Sequence, residues 1–273
     1  MLIVESGRLT ECVEYCIQNN IGWLHISPYH GYDLNNVHFL FACKHIVGIH
    51  MQQAIADFSG LYALPKLTYL SAVFPHDIDV SRLPLLSDLS TDWSKTIDVS
   101  IFASASLKRL WLRGYRPSSR SLERVISLNA LNDLHLVSSS ITSIRGVETL
   151  QRLKRLGLSY CRRLEDIGPL NGLECSLEEL ELDHCKAIKD TNPIFQLRKL
   201  RKLIMFSCHD LASLQFIKKL SKLEFISFVN TKVIDGDMTP CFGLNYAGFL
   251  KNRHYSHTPE EVVEIIKSRH AIE

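Results

Sequence analysis

The strongest constraint on this chain is a short pattern that returns at a nearly fixed interval. From Leu131 the sequence reads LNDLHL, then LKRLGL from Leu153, LEELEL from Leu177, LRKLIM from Leu200 and LEFISF from Leu223, with starts 22, 24, 23 and 23 residues apart. The template is L-x-x-L-x-L, with Ile, Met or Phe allowed in the leucine places. Upstream, LKRLWL at Leu107, LSDLST at Leu86, LTYLSA at Leu67, IVGIHM at Ile46 and IGWLHI at Ile21 extend the series to ten units. The block at Leu86 is the least regular, because Thr91 stands in its third apolar place. One such unit cannot bury its own leucines, but a stack of them shares a continuous core, with stability summed over neighbours.

Between the blocks the apolar residues fall three apart: Ile144, Val147, Leu150 and Leu153 in one unit, and Leu214, Ile217, Leu220 and Leu223 in another. A period of three aligns side chains on a 3₁₀ turn, whereas an α-helix would drift off that stripe. Each unit is therefore expected to hold one short strand and one 3₁₀ or irregular segment. Pro75, Pro84 and a step of 19 residues point to a distortion or local loop between residues 75 and 106.

The ten blocks and their period resemble the leucine-rich repeat family, and within it the short-repeat, internalin-like class. The resemblance implies an α/β solenoid of about ten repeats, a curved horseshoe with a parallel sheet on its concave side and 3₁₀ or irregular turns on its convex side. On that frame residues 21–240 are the solenoid. Residues 1–20 form an N-terminal cap, with MLIV as a short strand and RLTECVEYCIQN as a helix. Residues 241–273 form a C-terminal loop and a capping helix, opened by the capping box Thr258-Pro259-Glu260-Glu261. The stretch KNRHYSHT, with His254 and His257, is expected to be the loop that leads into it.

In this family the ninth position of a unit points inward and is usually Asn or Cys. Counted from Leu153, Leu177 and Leu200, the ninth residues are Cys161, Cys185 and Cys208, and Ser139 and Thr231 hold that place in the flanking units. The three cysteines are expected to form an inward ladder rather than a zinc site, which needs four converging ligands. His184 and His209 lie on opposite sides of their cysteines in sequence and should not share a face. Cys12, Cys16, Cys43, Cys175 and Cys241 are taken as core or surface fillers. His25 and His50 share position five of adjacent units, but without a nearby carboxylate they make an incomplete ion site.

Positions two, three, five, seven and eight should face outward on the concave side. Position three alternates in sign from Asp88 through Arg109, Asp133, Arg155 and Glu179 to Lys202. This places opposite charges side by side on adjacent strands, a ladder that neutralises itself. Positions five, seven and eight gather Trp93, Trp111, Arg113, His135, Tyr160, Glu181, Asp183, His184 and Phe206. Large aromatics beside charged residues match the composition of interface hot spots. This group is the candidate partner-binding surface.

The bulk numbers narrow the classes. The net charge of +2 lacks the basic excess of a nucleic-acid binder, and the acidic strand from Glu178 to Asp183 would repel phosphates. No apolar run approaches the roughly 18 residues needed to span a membrane. MLIVESGRLTE does not read as a secretory signal, so a cytoplasmic location is expected. No G-x-S-x-G, H-E-x-x-H or Walker sequence is present, and no cofactor is expected. The reading is a non-enzymatic, monomeric module that recognises a protein on its concave face. An inhibitor or bacterial immunity protein that neutralises a toxin or enzyme would fit. The alternatives are an adaptor or substrate-receptor arm of a ubiquitin-ligase-like complex, or a thiol- or metal-dependent enzyme.

Overall fold

A computed structural model describes residues 1–72 and 77–270; the expected distortion at Pro75 lies outside the described residues. The chain forms two compact units, Met1–Tyr115 and Arg116–Glu273. The first holds strands β1 (Leu2–Val4), β2 (Trp23–Ile26), β3 (Gly48–Met51), β4 (Tyr69–Ala72), β5 (Asp88–Asp92) and β6 (Arg109–Arg113), with helices α1 (Leu9–Gln18) and α2 (Lys95–Phe102). The second holds β7 (Asp133–Val137), β8 (Arg155–Ser159), β9 (Glu179–Asp183), β10 (Lys202–Phe206), β11 (Phe225–Ser227) and β12 (Tyr246–Gly248), closed by helix α3 (Pro259–His270).

Within each unit every strand pairs in parallel with its neighbours in sequence, and the register follows the template. In the first unit Leu24, Ile49, Leu70, Leu89 and Leu110 lie side by side. In the second the column is Leu134, Leu156, Leu180, Leu203, Ile226 and Ala247. These residues occupy the fourth place of their blocks and are buried. The strands hold register because a slip of one residue would turn every leucine outward.

The return segments are mostly 3₁₀ turns, among them Val147–Thr149, Gly168–Leu173, Asn192–Gln196 and Gln215–Lys219. Their inward residues, Val147, Leu170, Ile194 and Ile217, are the three-spaced apolar positions, and all are buried. Gly146 shows how closely the turns stack. It has φ +110°, and a Cβ there would lie 2.3 Å from the Leu122 carbonyl oxygen of the preceding coil. Only glycine meets both demands.

Two features depart from the plain repeat. After β5 the chain forms α2, an α-helix, where the other coils use 3₁₀ turns; Ser94 caps it by accepting from the Ile97 N–H at 3.2 Å. A twelfth strand, β12, lies in the stretch expected to be loop. Its block, LNYAGF, carries Ala247 in the fourth leucine place, so the template does not reach it. At the end the capping box forms reciprocally. The Thr258 hydroxyl accepts from the Glu261 N–H at 3.2 Å, and the Glu261 carboxylate accepts from the Thr258 N–H at 2.7 Å. Helix α3 packs on β12, with Val262 and Ile266 buried. In the preceding loop the His254 Nε2–H donates to the Val233 carbonyl at 2.8 Å, which ties the loop to the last coils.

Candidate functional site

The residue just past each strand decides how the surface is built. In six of the coils the backbone at position eight is left-handed: Gly114 in the first unit, then Ser138, Tyr160, His184, Ser207 and Asn230 in the second, the latter five with φ of 50° to 56°. Each twist lets the next residue point inward. The amide at this place reaches the adjacent coil, as in Tyr160 N–H to Asp183 O at 2.7 Å and His184 N–H to Phe206 O at 2.9 Å. Gly favours this backbone, and Asn and His are enriched in it among other residues, but bulky Tyr adopts it at a cost of about 1 kcal/mol or more. Tyr160 is therefore held in the column against local preference.

Their side chains form a continuous aromatic surface. The Tyr160 and His184 rings stack at 4.5 Å with an interplanar angle of 12°, and His184 meets Phe206 at 5.3 Å. The His184 Nδ1–H donates to Asp183 Oδ1 at 2.6 Å. Tyr160 is 41% exposed, and Asp183, His184 and Phe206 are half-buried. Asp183 pairs in register with both Ser159 and Phe206, so carboxylate and rings share one face.

Further along the same strands, His135, Gly157, Glu181 and Ile204 form the position-five row. The His135 ring lies over Gly157, where a Cβ would come 2.5 Å from Nδ1. His135 Nε2 is 3.1 Å from Ser159 Oγ. Burial lowers the His135 pKa, opposed by the nearby carboxylates of Glu181, Asp133 and Asp183. Together with Arg155, Glu179 and Lys202 these residues line an open depression of about 170 Å³.

In the first unit the candidates divide. Arg113 forms a two-pronged pair with Asp92, at 2.6 and 2.7 Å. Trp111 sits half-buried on β6 beside Ser90. Trp93 turns toward its own unit. Its indole N–H donates to Asp98 of α2 at 2.8 Å, and its ring packs edge-on against buried Tyr115 at 6.1 Å. The position-three ladder forms in part: Asp88 pairs with Arg109 and Asp133 with Arg155 at 2.8 Å, while Glu179 lies in register with Arg155 and Lys202 without such a contact.

The ninth-position residues point inward and are joined to the coil before. Cys185 Sγ–H donates to Leu158 O at 3.2 Å, Cys208 Sγ–H to Leu182 O at 3.2 Å, and the Thr231 hydroxyl to Met205 O at 2.7 Å. All three acceptors are sixth-position carbonyls. Cys161, Cys185 and Cys208 are buried. Burial pushes the Cys208 thiol up to about 11. The hydrogen bond with Cys161, followed by burial, pushes Cys185 upward as well. Both thiols are thereby kept protonated and poorly nucleophilic. Cys16, Cys43 and Cys241 are also buried, and Cys175 is exposed. The His25 ring meets His50 at 5.0 Å and His30 at 5.1 Å, both edge-on, and His25 Nε2 is 3.3 Å from Gln52 Oε1. Among the described residues no group of three His, Cys, Asp or Glu is placed to hold a metal ion, and no helix is long and apolar enough to cross a membrane.

Solved structures place this architecture. A leucine-rich repeat protein of Leptospira interrogans is 18% identical, with a TM-score of 0.68 over 97% of this chain and 74% of its own. An internalin (inlF) of Listeria monocytogenes is also 18% identical, with a TM-score of 0.58 over 82% of this chain and 70% of its own. The functional domain of InlJ from Listeria monocytogenes, which includes a cysteine ladder, is 16% identical, with a TM-score of 0.51 over 81% of this chain and 49% of its own. No family model and no curated protein matches the sequence. Parallel strands set one per coil, 3₁₀ returns and these structural neighbours together identify the fold as a leucine-rich repeat solenoid.

Proposed function

We propose that the protein is a non-enzymatic recognition module, and that its second unit binds a protein partner on the open sheet face through Tyr160, His184 and Phe206, with Glu181 and Asp183 beside them. The observation that carries this reading is the position-eight column. Tyr160 and His184 occupy left-handed backbone where Gly114, Ser138, Ser207 and Asn230 serve in other coils, and the Tyr160 ring is 41% exposed. Local stability does not favour that choice, whereas exposed rings with adjoining charges are the usual anchors of a protein interface. Arg113 and Trp111 supply a comparable pairing of charge and ring on the first unit. The finer reading is an inhibitor that masks a toxin or effector, since a repeat presenting preformed side chains can bind at a reduced ordering cost.

Site-specific photo-crosslinking tests the surface. A photoreactive amino acid at position 206 should capture the partner from source-cell lysate, and the same group at exposed Ile126, in a 3₁₀ turn, should not. Equal capture at both positions would place the contact elsewhere. For the inhibitor reading, the captured partner should lose its activity in a stoichiometric complex.

A further inference from the structure

A second feature of the Arg116–Glu273 unit adjoins the aromatic surface at Tyr160 and differs from it in chemistry. Arg116, Arg120, Arg162 and Arg163 line one open pocket of about 710 Å³, with Ser138, Ser139, Ser140 and Tyr160. No Asp or Glu lines it. Elsewhere the chain sets carboxylates against its arginines, as at Arg113, Arg145, Arg155, Arg198 and Arg201. Among the described residues none of these four has such a partner, although the chain carries 29 acidic residues to its 31 Lys and Arg. The four are exposed, and a concave site lined by one sign of charge raises the local concentration of anions.

The scaffold beneath the four is fixed. Arg162 and Arg163 are exposed between buried Cys161 and buried Leu164, in a turn closed by Leu164 N–H to Cys161 O at 3.0 Å. Arg120 adopts φ +52°, its N–H bonded to Pro117 O at 3.1 Å and its carbonyl accepting from Thr142 N–H at 2.8 Å. Guanidinium groups favour phosphate because their planar donor forks match its oxygens two at a time. Tyr160 adds a second element. His184 stacks on the Tyr160 ring from the following coil, while the corresponding residue of the preceding coil is the small, exposed Ser138. One ring face is thus open beside the arginines.

We infer that this pocket binds a phosphate monoester carried on an aromatic ring, and that its occupant is a phosphorylated tyrosine side chain of a protein. The phosphate sits among the four guanidinium groups and the ring stacks on Tyr160. Because the binding can be read with a small probe and no partner protein, its failure would leave the recognition reading above untouched.

Titration calorimetry with N-acetyl-phosphotyrosine amide, N-acetyl-tyrosine amide and inorganic phosphate tests the inference. The phosphotyrosine probe should bind at least tenfold tighter than its unphosphorylated form. It should also bind about threefold or more tighter than inorganic phosphate, the margin a single ring stack provides. The affinity should fall as salt rises. Arg162→Ala/Arg163→Ala and, independently, Arg116→Ala/Arg120→Ala should each weaken the probe at least tenfold with the melting temperature unchanged. Equal binding of the phosphorylated and plain probes, or affinity indifferent to both arginine pairs, would overturn the inference. So would adenosine monophosphate binding tighter than phosphotyrosine, or phosphoinositide vesicles binding while the soluble probe does not.

Discussion

The ring of Tyr160 lies flat on the ring of His184, 4.5 Å away, and both residues hold a left-handed backbone. The stack contributes about 0.5–1.5 kcal/mol, while the two conformations cost about 1–3 kcal/mol each. Stacking at most offsets part of that cost. Tyr160→Gly should therefore be more stable than Tyr160→Ala by about 1 kcal/mol, since only the glycine relieves the backbone. Urea unfolding of the two variants measures this. An alanine variant as stable as the glycine one would contradict the strain argument.

The inward ladder makes a different claim, about hydrogen bonds between coils. Cys208→Thr should be close to neutral, because Thr231 already uses a hydroxyl at the equivalent place to reach a sixth-position carbonyl. Cys208→Ala should cost about 1–2 kcal/mol through the lost donor and the small void. Equal loss in both variants would show that volume, not the donor, matters here.

Thiol labelling follows from the same burial. Cys175 is exposed and Cys12 half-buried, while Cys16, Cys43, Cys161, Cys185, Cys208 and Cys241 are buried. Burial pushes the Cys16 and Cys241 thiols up to about 12. An aromatic disulfide reagent at pH 8 should modify Cys175 first and Cys12 more slowly, and reach the other six only on unfolding. Rapid reaction of Cys161, Cys185 or Cys208 in the folded protein would refute the structural role.

Acid should destabilise the fold in two stages. Burial, with His25 nearby, lowers His50, and burial lowers His135. A lowered histidine contributes stability that is present above its ordinary value of about 6.5 and is lost as pH falls through the folded value. Asp57, lowered to about 2 first by the Ser59 N–H, and Glu261, lowered first by the Thr258 N–H, behave alike within the carboxylate range. The melting temperature should decline below about pH 6.5 and again between about pH 4.5 and 2. Thr258→Ala should remove about 1 kcal/mol at neutral pH through loss of the helix cap. A melting temperature flat from pH 7 to 5 would contradict the histidine part.

The solenoid was legible because its leucines are set by a single requirement, burial between coils, which leaves a periodic trace. The ladder was legible for the same reason, since Cys161, Cys185 and Cys208 keep a constant offset from their leucines. β12 was hidden because Ala247 fills a leucine place at a coil covered by α3. The α2 segment was hidden because Ser94 and Asp98 signal a helix only once the neighbouring 3₁₀ returns are known. On the surface, sequence offset told which residues share a row but not how each side chain is used. Trp93 and Tyr160 both hold position eight, yet Asp98 draws the Trp93 indole toward α2 while Tyr160 has only a ring to stack on. The left-handed column itself left a faint trace in Gly114 and Asn230, two residues that favour such backbone.

The central claim, that the Tyr160–His184–Phe206 surface binds a protein, is tested most directly by affinity. Once a partner is captured, its dissociation constant should be measured against the wild-type protein and against Tyr160→Gly/Phe206→Ala. A loss of at least tenfold, with a folded variant, is the expected result for two hot-spot residues at about 1 kcal/mol or more each. An unchanged constant would contradict the account.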